Sequence, residues 1–238
     1  MKKFILLTCS LLVSGLISQA SSVETHVQRS AYAAQQAASS KVSLRFMWSK
    51  PVHISDVINR RPRGKDVVVR VDQATATCMG TVSNEGRVYF VADCLEQDGF
   101  EFEHLQKVLV TLSNGVQVEG RQNNIEIPQD SDVAWILITK ATLRGLMPLS
   151  VRHTPQGKSL QEAYGEAITQ KLKDFFHSKR IAANHRSCRI GGHVSSPKVS
   201  VGDPVIIDGK LVALMKSIPH SYRGIWGGVS ESSLAIIR

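Results

Sequence analysis

Little in this chain is available to hold a metal or to enter a membrane. After residue 20 no apolar run approaches the roughly 20 residues that a helical span requires, so no second membrane segment is expected. None of the eight histidines stands at zinc-ligand spacing with cysteines or carboxylates. His153, His177, His185, His193 and His220 are scattered through the second half, and neither metal nor cofactor is expected. Acidic residues are in deficit, 20 against 29 basic, for a formal charge of +9. Cysteine is scarce as well, at Cys9, Cys78, Cys94 and Cys188 only. No internal repeat is visible. The 42% apolar and 21% charged fractions exclude a disordered chain, and 238 residues suffice to bury a substantial core.

What is present begins with a secretory signal layout over Met1 to Ala20. Lys2 and Lys3 precede an apolar stretch from Phe4 to Ile17, and Ser18-Gln19-Ala20 supplies a small-residue cleavage site. The expectation is a secreted or periplasmic bacterial protein in an oxidising compartment, where cysteines are read first as disulfides. Cleavage leaves three cysteines, which cannot all pair within the chain, and 27 basic against 20 acidic residues, a net +7. That excess favours acidic partners, glycans or anionic surfaces ahead of nucleic acid, and equally serves solubility. Its densest cluster is Arg60-Arg61-Pro62-Arg63-Gly64-Lys65. Arg60, Arg61, Arg63 and Lys65 there form a polyanion contact, a processing site or a solvated loop.

Residues 21–65 read as a partly mobile leader, with Val42 to Ile58 draped over the surface of the domain that follows. From Asp66 the pattern is β. Val67 to Val71, Ala74 to Thr81 and Arg87 to Val91 are short runs of valine, threonine and aromatics separated by turn residues. Val108 to Leu112 and Val116 to Glu119 flank Ser113-Asn114-Gly115, a hairpin signal. Val133 to Ile138 is a wholly apolar strand of the buried kind. Pro204 to Ile207 and Lys210 to Met215 flank Asp208-Gly209, a second hairpin. Between them, Ala167 to Lys179 places Ile168, Leu172, Phe175 and Phe176 at helical spacing, predicting a surface helix packed on the domain.

Three blocks resemble trypsin-like serine proteases. Cys78-Met79-Gly80-Thr81-Val82 followed by Val91-Ala92-Asp93-Cys94 is similar to the family's C-x-G-T-(L/V) and T-A-A-H-C segments. Ser131-Asp132-Val133-Ala134 is similar to its D-I-A segment, and Gly202-Asp203-Pro204-Val205 to its G-D-S-G-G-P segment. The resemblance spans 66–238 and implies an all-β fold of two six-stranded barrels with a cleft between them. It assigns the first barrel to about 66–138, a connection to about 139–156, the second barrel to about 157–229 and a C-terminal helix to 230–238. Gly157 to Gly165 takes the place of a family strand ending in G-W-G. The resemblance also implies a Cys78–Cys94 disulfide. Cys188, in Ser187-Cys188-Arg189, has no partner and is either a buried thiol or a handle for another chain.

The family's chemistry requires a nucleophile, a base and a carboxylate that orients the base. Asp132 keeps the carboxylate, but Asp93 stands where the histidine belongs. Alignment on Pro204 without gaps puts Val201 where the serine belongs, and a gapped alignment that keeps Gly202-Asp203 deletes the serine, so neither places a hydroxyl there. An aspartate with a pKa near 4 has little driving force to accept a hydroxyl proton at neutral pH. Two facing carboxylates would repel, raising one pKa or admitting a cation. Lys216-Ser217-Ile218 replaces the substrate-pairing S-W-G. The reading is a protease homologue without a working triad that binds or scaffolds a protein partner. One alternative is a divergent hydrolase with Ser200 as fallback nucleophile, and another is a polyanion binder using the Arg60–Lys65 cluster.

Overall fold

The computed structural model describes residue 32 and residues 35–57, 67–175, 200–216 and 231–238. Eleven strands among these residues form two sheets: β1 Lys41–His53, β2 Val68–Val82, β3 Arg87–Val91, β4 Leu105–Thr111, β5 Gln117–Gly120, β6 Ile125–Glu126, β7 Val133–Leu137, β8 Ser150–Val151, β9 Pro204–Ile207, β10 Lys210–Met215 and β11 Leu234–Ile236. The fold is all-β. No helix among the described residues is long and apolar enough to cross a membrane.

The larger sheet runs β5-β4-β1-β2-β3-β7-β6. Its centre is the segment expected to lie on the surface. Val42, Leu44, Phe46 and Trp48 alternate with the more exposed Ser43, Arg45 and Met47, and all four are at most 1% exposed. Alternation of this kind puts one face of a strand into a core. Lys41–His53 therefore pairs along its length with β2 and, over Ser43 to Trp48, with β4. The sheet begins at residue 41 instead of 66. Val67–Val71 and Ala74–Thr81, read as two strands, are one continuous strand, β2. The sheet nearly closes on itself: at Gly120, on the edge strand β5, a Cβ would overlap the Ile136 side chain on β7 near the opposite edge.

The second sheet contains four strands among the described residues, β11-β10-β8 with β9 also on β10, where a six-stranded barrel is expected. One of them, β8, comes from the segment assigned to the connection and pairs in parallel with Lys210 and Leu211. A register shift between Leu211 and Ala213 lets β10 serve two cores. Leu211 and Leu214 join the core of the large sheet, while Val212, Ala213 and Met215 face Leu160, Ile168 and Val205. The apolar run Leu234 to Ile237, which contains β11, is buried throughout. The helix expected here is instead a single 3-10 turn, Glu231–Ser233, followed by a strand on β10. So short an apolar run has no periodicity to separate the two, and pairing with β10 decides.

Gly157–Gly165, expected as a strand, contains the helix Leu160–Tyr164. The Ser159 hydroxyl accepts from the Glu162 N–H at 3.1 Å, and the Glu162 carboxylate accepts from the Ser159 N–H at 2.8 Å. This reciprocal cap satisfies donors that an unpaired helix start leaves open. The Ser159 N–H also holds the Glu162 carboxyl below its usual range. Residues 167–175 are helical as expected, with Ile168 buried and Leu172 and Phe175 against the second core.

Candidate functional site

Strand pairing brings two of the three protease-like blocks to one end of the large sheet. Val91 at the end of β3 pairs with Val133 at the start of β7. The contact continues one residue outward, where the Ala92 N–H donates to the Asp132 carbonyl at 2.8 Å. Asp93 follows at once in the 3-10 turn Ala92–Leu95. The same turn is fixed to β2 by the disulfide between Cys78 and Cys94. Asp93 and Asp132, 39 residues apart in sequence, therefore stand at the ends of adjacent strands, both exposed.

The cation that two carboxylates invite is supplied by the chain itself. Lys216, the residue after β10, extends its ammonium to Asp132 Oδ1 at 2.6 Å. Its backbone N–H is bonded to the Ser233 carbonyl at 2.8 Å, which holds the stem in place. The hydrogen bond to Asp132 raises the Lys216 pKa above its ordinary 10.5, and the negative charges of Asp132, Asp93 and Glu96 add to the effect. A raised lysine pKa stabilises the fold fully below 10.5, and that stabilisation is lost only as pH rises through the higher folded value. At neutral pH Lys216 is an ammonium without a lone pair, so it cannot serve as a base.

The third block forms a tight turn beside the first. Gly202 has φ +87°, and a Cβ there would lie 2.8 Å from the Met79 carbonyl carbon and overlap its oxygen. The turn thus packs its backbone on the residue next to Cys78. Three of its four N–H groups have acceptors within the chain. Ser200 N–H donates to Asp203 Oδ2 at 3.0 Å, Gly202 N–H to the Met215 carbonyl at 2.8 Å, and Asp203 N–H to the Ser200 carbonyl at 3.0 Å. Lys41 pairs with the other oxygen of Asp203 at 2.6 Å. An oxyanion hole needs N–H groups that point at a developing charge, and these three are directed elsewhere. Val201 is 40% exposed and carries no reactive atom.

The structure thus gathers Asp93, Asp132 and the Cys78–Cys94 disulfide, and ties the Ser200–Asp203 turn to Met79 and Met215. Cys188 and the Arg60, Arg61, Arg63 and Lys65 cluster lie outside the described residues. Two residues that sequence reasoning did not assign, Lys216 and Lys41, neutralise Asp132 and Asp203. The signal for the first was the expected carboxylate pair, which calls for a nearby cation. Among the described residues no group of three or more histidine, cysteine, aspartate or glutamate side chains is placed to hold a metal ion.

No protein-family model matches the chain, and no curated protein matches it. Among solved structures it is similar to an HtrA-type protease determined with a decapeptide, at 14% identity and a TM-score of 0.42. The similarity covers 87% of this chain and 62% of the protease, so the chain spans less than two thirds of that protein's length.

Proposed function

We propose that this is an exported protein of trypsin-like architecture that performs no hydrolysis and acts by binding a protein partner. The observation that carries this reading is the 2.6 Å ion pair between Lys216 and Asp132. In the family's chemistry the carboxylate at this position orients a histidine base; here it holds a lysine, and the base position carries Asp93. The turn at Ser200–Asp203 supports the same reading, since Val201, at the position of the nucleophile, carries no hydroxyl and the Ser200 N–H is committed to the Asp203 carboxylate. The disulfide supports export to an oxidising compartment.

A fluorophosphonate probe, which labels activated serines, tests this. The purified chain is expected to remain unlabelled, at the same background as Ser200→Ala. Label located on Ser200 and lost in that variant would establish the divergent hydrolase in its place.

A further inference from the structure

The two-stranded ribbon of β1 and β2 is longer than the sheet around it. β1 covers one edge of β2 from Val68 to Thr81. The other edge carries β3 only over Gly80, Thr81 and Val82. From Val68 through Met79, no strand among the described residues pairs with it. That leaves a row of backbone donors and acceptors facing outward, and Val67, Val68, Val69 and Val71 beside it are each at least 46% exposed. Edges of this length and apolarity are normally blunted by proline, bulges or charged side chains, because they otherwise recruit another strand. β2 has no proline and one bulge, at Val69, which Val52 and His53 of β1 skip.

The charges on this edge do the opposite. Arg70 and Asp72 lie two apart on one face of β2, 67% and 42% exposed, and pair with each other at 3.0 Å. If two copies of the strand run antiparallel with Val71 on the two-fold axis, Arg70 of each copy stands directly opposite Asp72 of the other. The regular register holds over Arg70 to Asp72, and the bulge at Val69 limits it beyond. Directly opposed opposite charges stabilise such a pairing, and like charges weaken it. A single basic residue at this edge would repel its own copy, whereas one of each sign at this spacing is self-complementary.

We propose that the free edge of β2 is a homodimer interface, in which two copies join their large sheets through an antiparallel β2–β2 pair centred on Val71. The contact is isologous and closes on itself, so it yields a dimer and no longer assembly.

Sedimentation velocity on the full chain, from low micromolar to about 100 μM, reads the dissociation constant. Arg70→Glu sets like charges opposite one another at both symmetry-related positions and is expected to weaken the dimer by about tenfold or more. Adding Asp72→Arg to that variant restores the complementarity with the signs exchanged, and the dimer is expected to return. Both positions are exposed, and an unchanged circular dichroism spectrum verifies the fold. A monomer at every concentration would overturn the proposal. So would a dimer indifferent to Arg70→Glu, or one that the second substitution fails to restore.

Discussion

Phe46→Ala is expected to destabilise the protein by about 3–5 kcal/mol, the range for deleting a buried aromatic ring. Phe46 is wholly buried on β1, with its ring centroid 5.3 Å from that of Phe90 and 5.8 Å from that of Trp48. It sits on the strand that joins β2 to β4, so the cavity would open between the two halves of the large sheet. Against a total stability of about 5–15 kcal/mol for a typical protein, the loss is large enough to shift a denaturant midpoint well outside error. Equilibrium unfolding in urea measures it. A loss under about 1 kcal/mol is what a surface segment would give, and it would contradict the placement of β1.

Gly202→Ala should be nearly as severe for a different reason. The left-handed backbone at φ +87° costs a residue with a Cβ about 1–2 kcal/mol. The added carbon also overlaps the Met79 carbonyl, which is backbone and cannot rotate aside. The turn must move, and the hydrogen bond from Gly202 to Met215 is then strained or lost, at about 1–3 kcal/mol more. Gly157 has a similar φ of +76°, and a methyl added there would meet nothing within 4 Å, so Gly157→Ala should show the backbone cost alone. Thermal unfolding of the two variants side by side separates the terms. Equal losses would mean that the turn does not pack on Met79 as described.

Much of the strand content was legible because turns punctuate it. Asp208 and Gly209 have φ of +52° and +73°, as a two-residue hairpin demands, and the strands on either side fall where the turn chemistry places them. The Cys78–Cys94 pair was legible through resemblance. The strand β1 was not, although Val42-Leu44-Phe46-Trp48 alternates as a half-buried strand should. That alternation lies N-terminal to the first protease-like block, beyond the 66–238 span that the resemblance covers. Residues Val67 to Thr81 looked like two strands because Asp72 and Gln73 interrupt the apolar pattern. On a ribbon edge that faces water, polar residues interrupt nothing. The strand at Leu234–Ile236 was lost to the family's C-terminal helix.

The site was legible in its carboxylates and not in its cations. Asp93 and Asp132 follow from local motifs, and β3–β7 pairing then brings them together. Lys216 is 84 residues from Asp132, and only the pairing of β10 and β11 aims it there. In the sequence it stands only as the first residue of the segment that replaces S-W-G, with nothing local to name Asp132 as its partner. The ion pair itself is partly exposed and worth about 0–1 kcal/mol, so its importance is chemical occupation of the position more than stability.

Initial-rate hydrolysis of peptide amides and of activated esters by the purified chain tests the central claim most directly. The account predicts rates equal to the buffer blank, unchanged by Ser200→Ala. Turnover above the blank that disappears in that variant would contradict it.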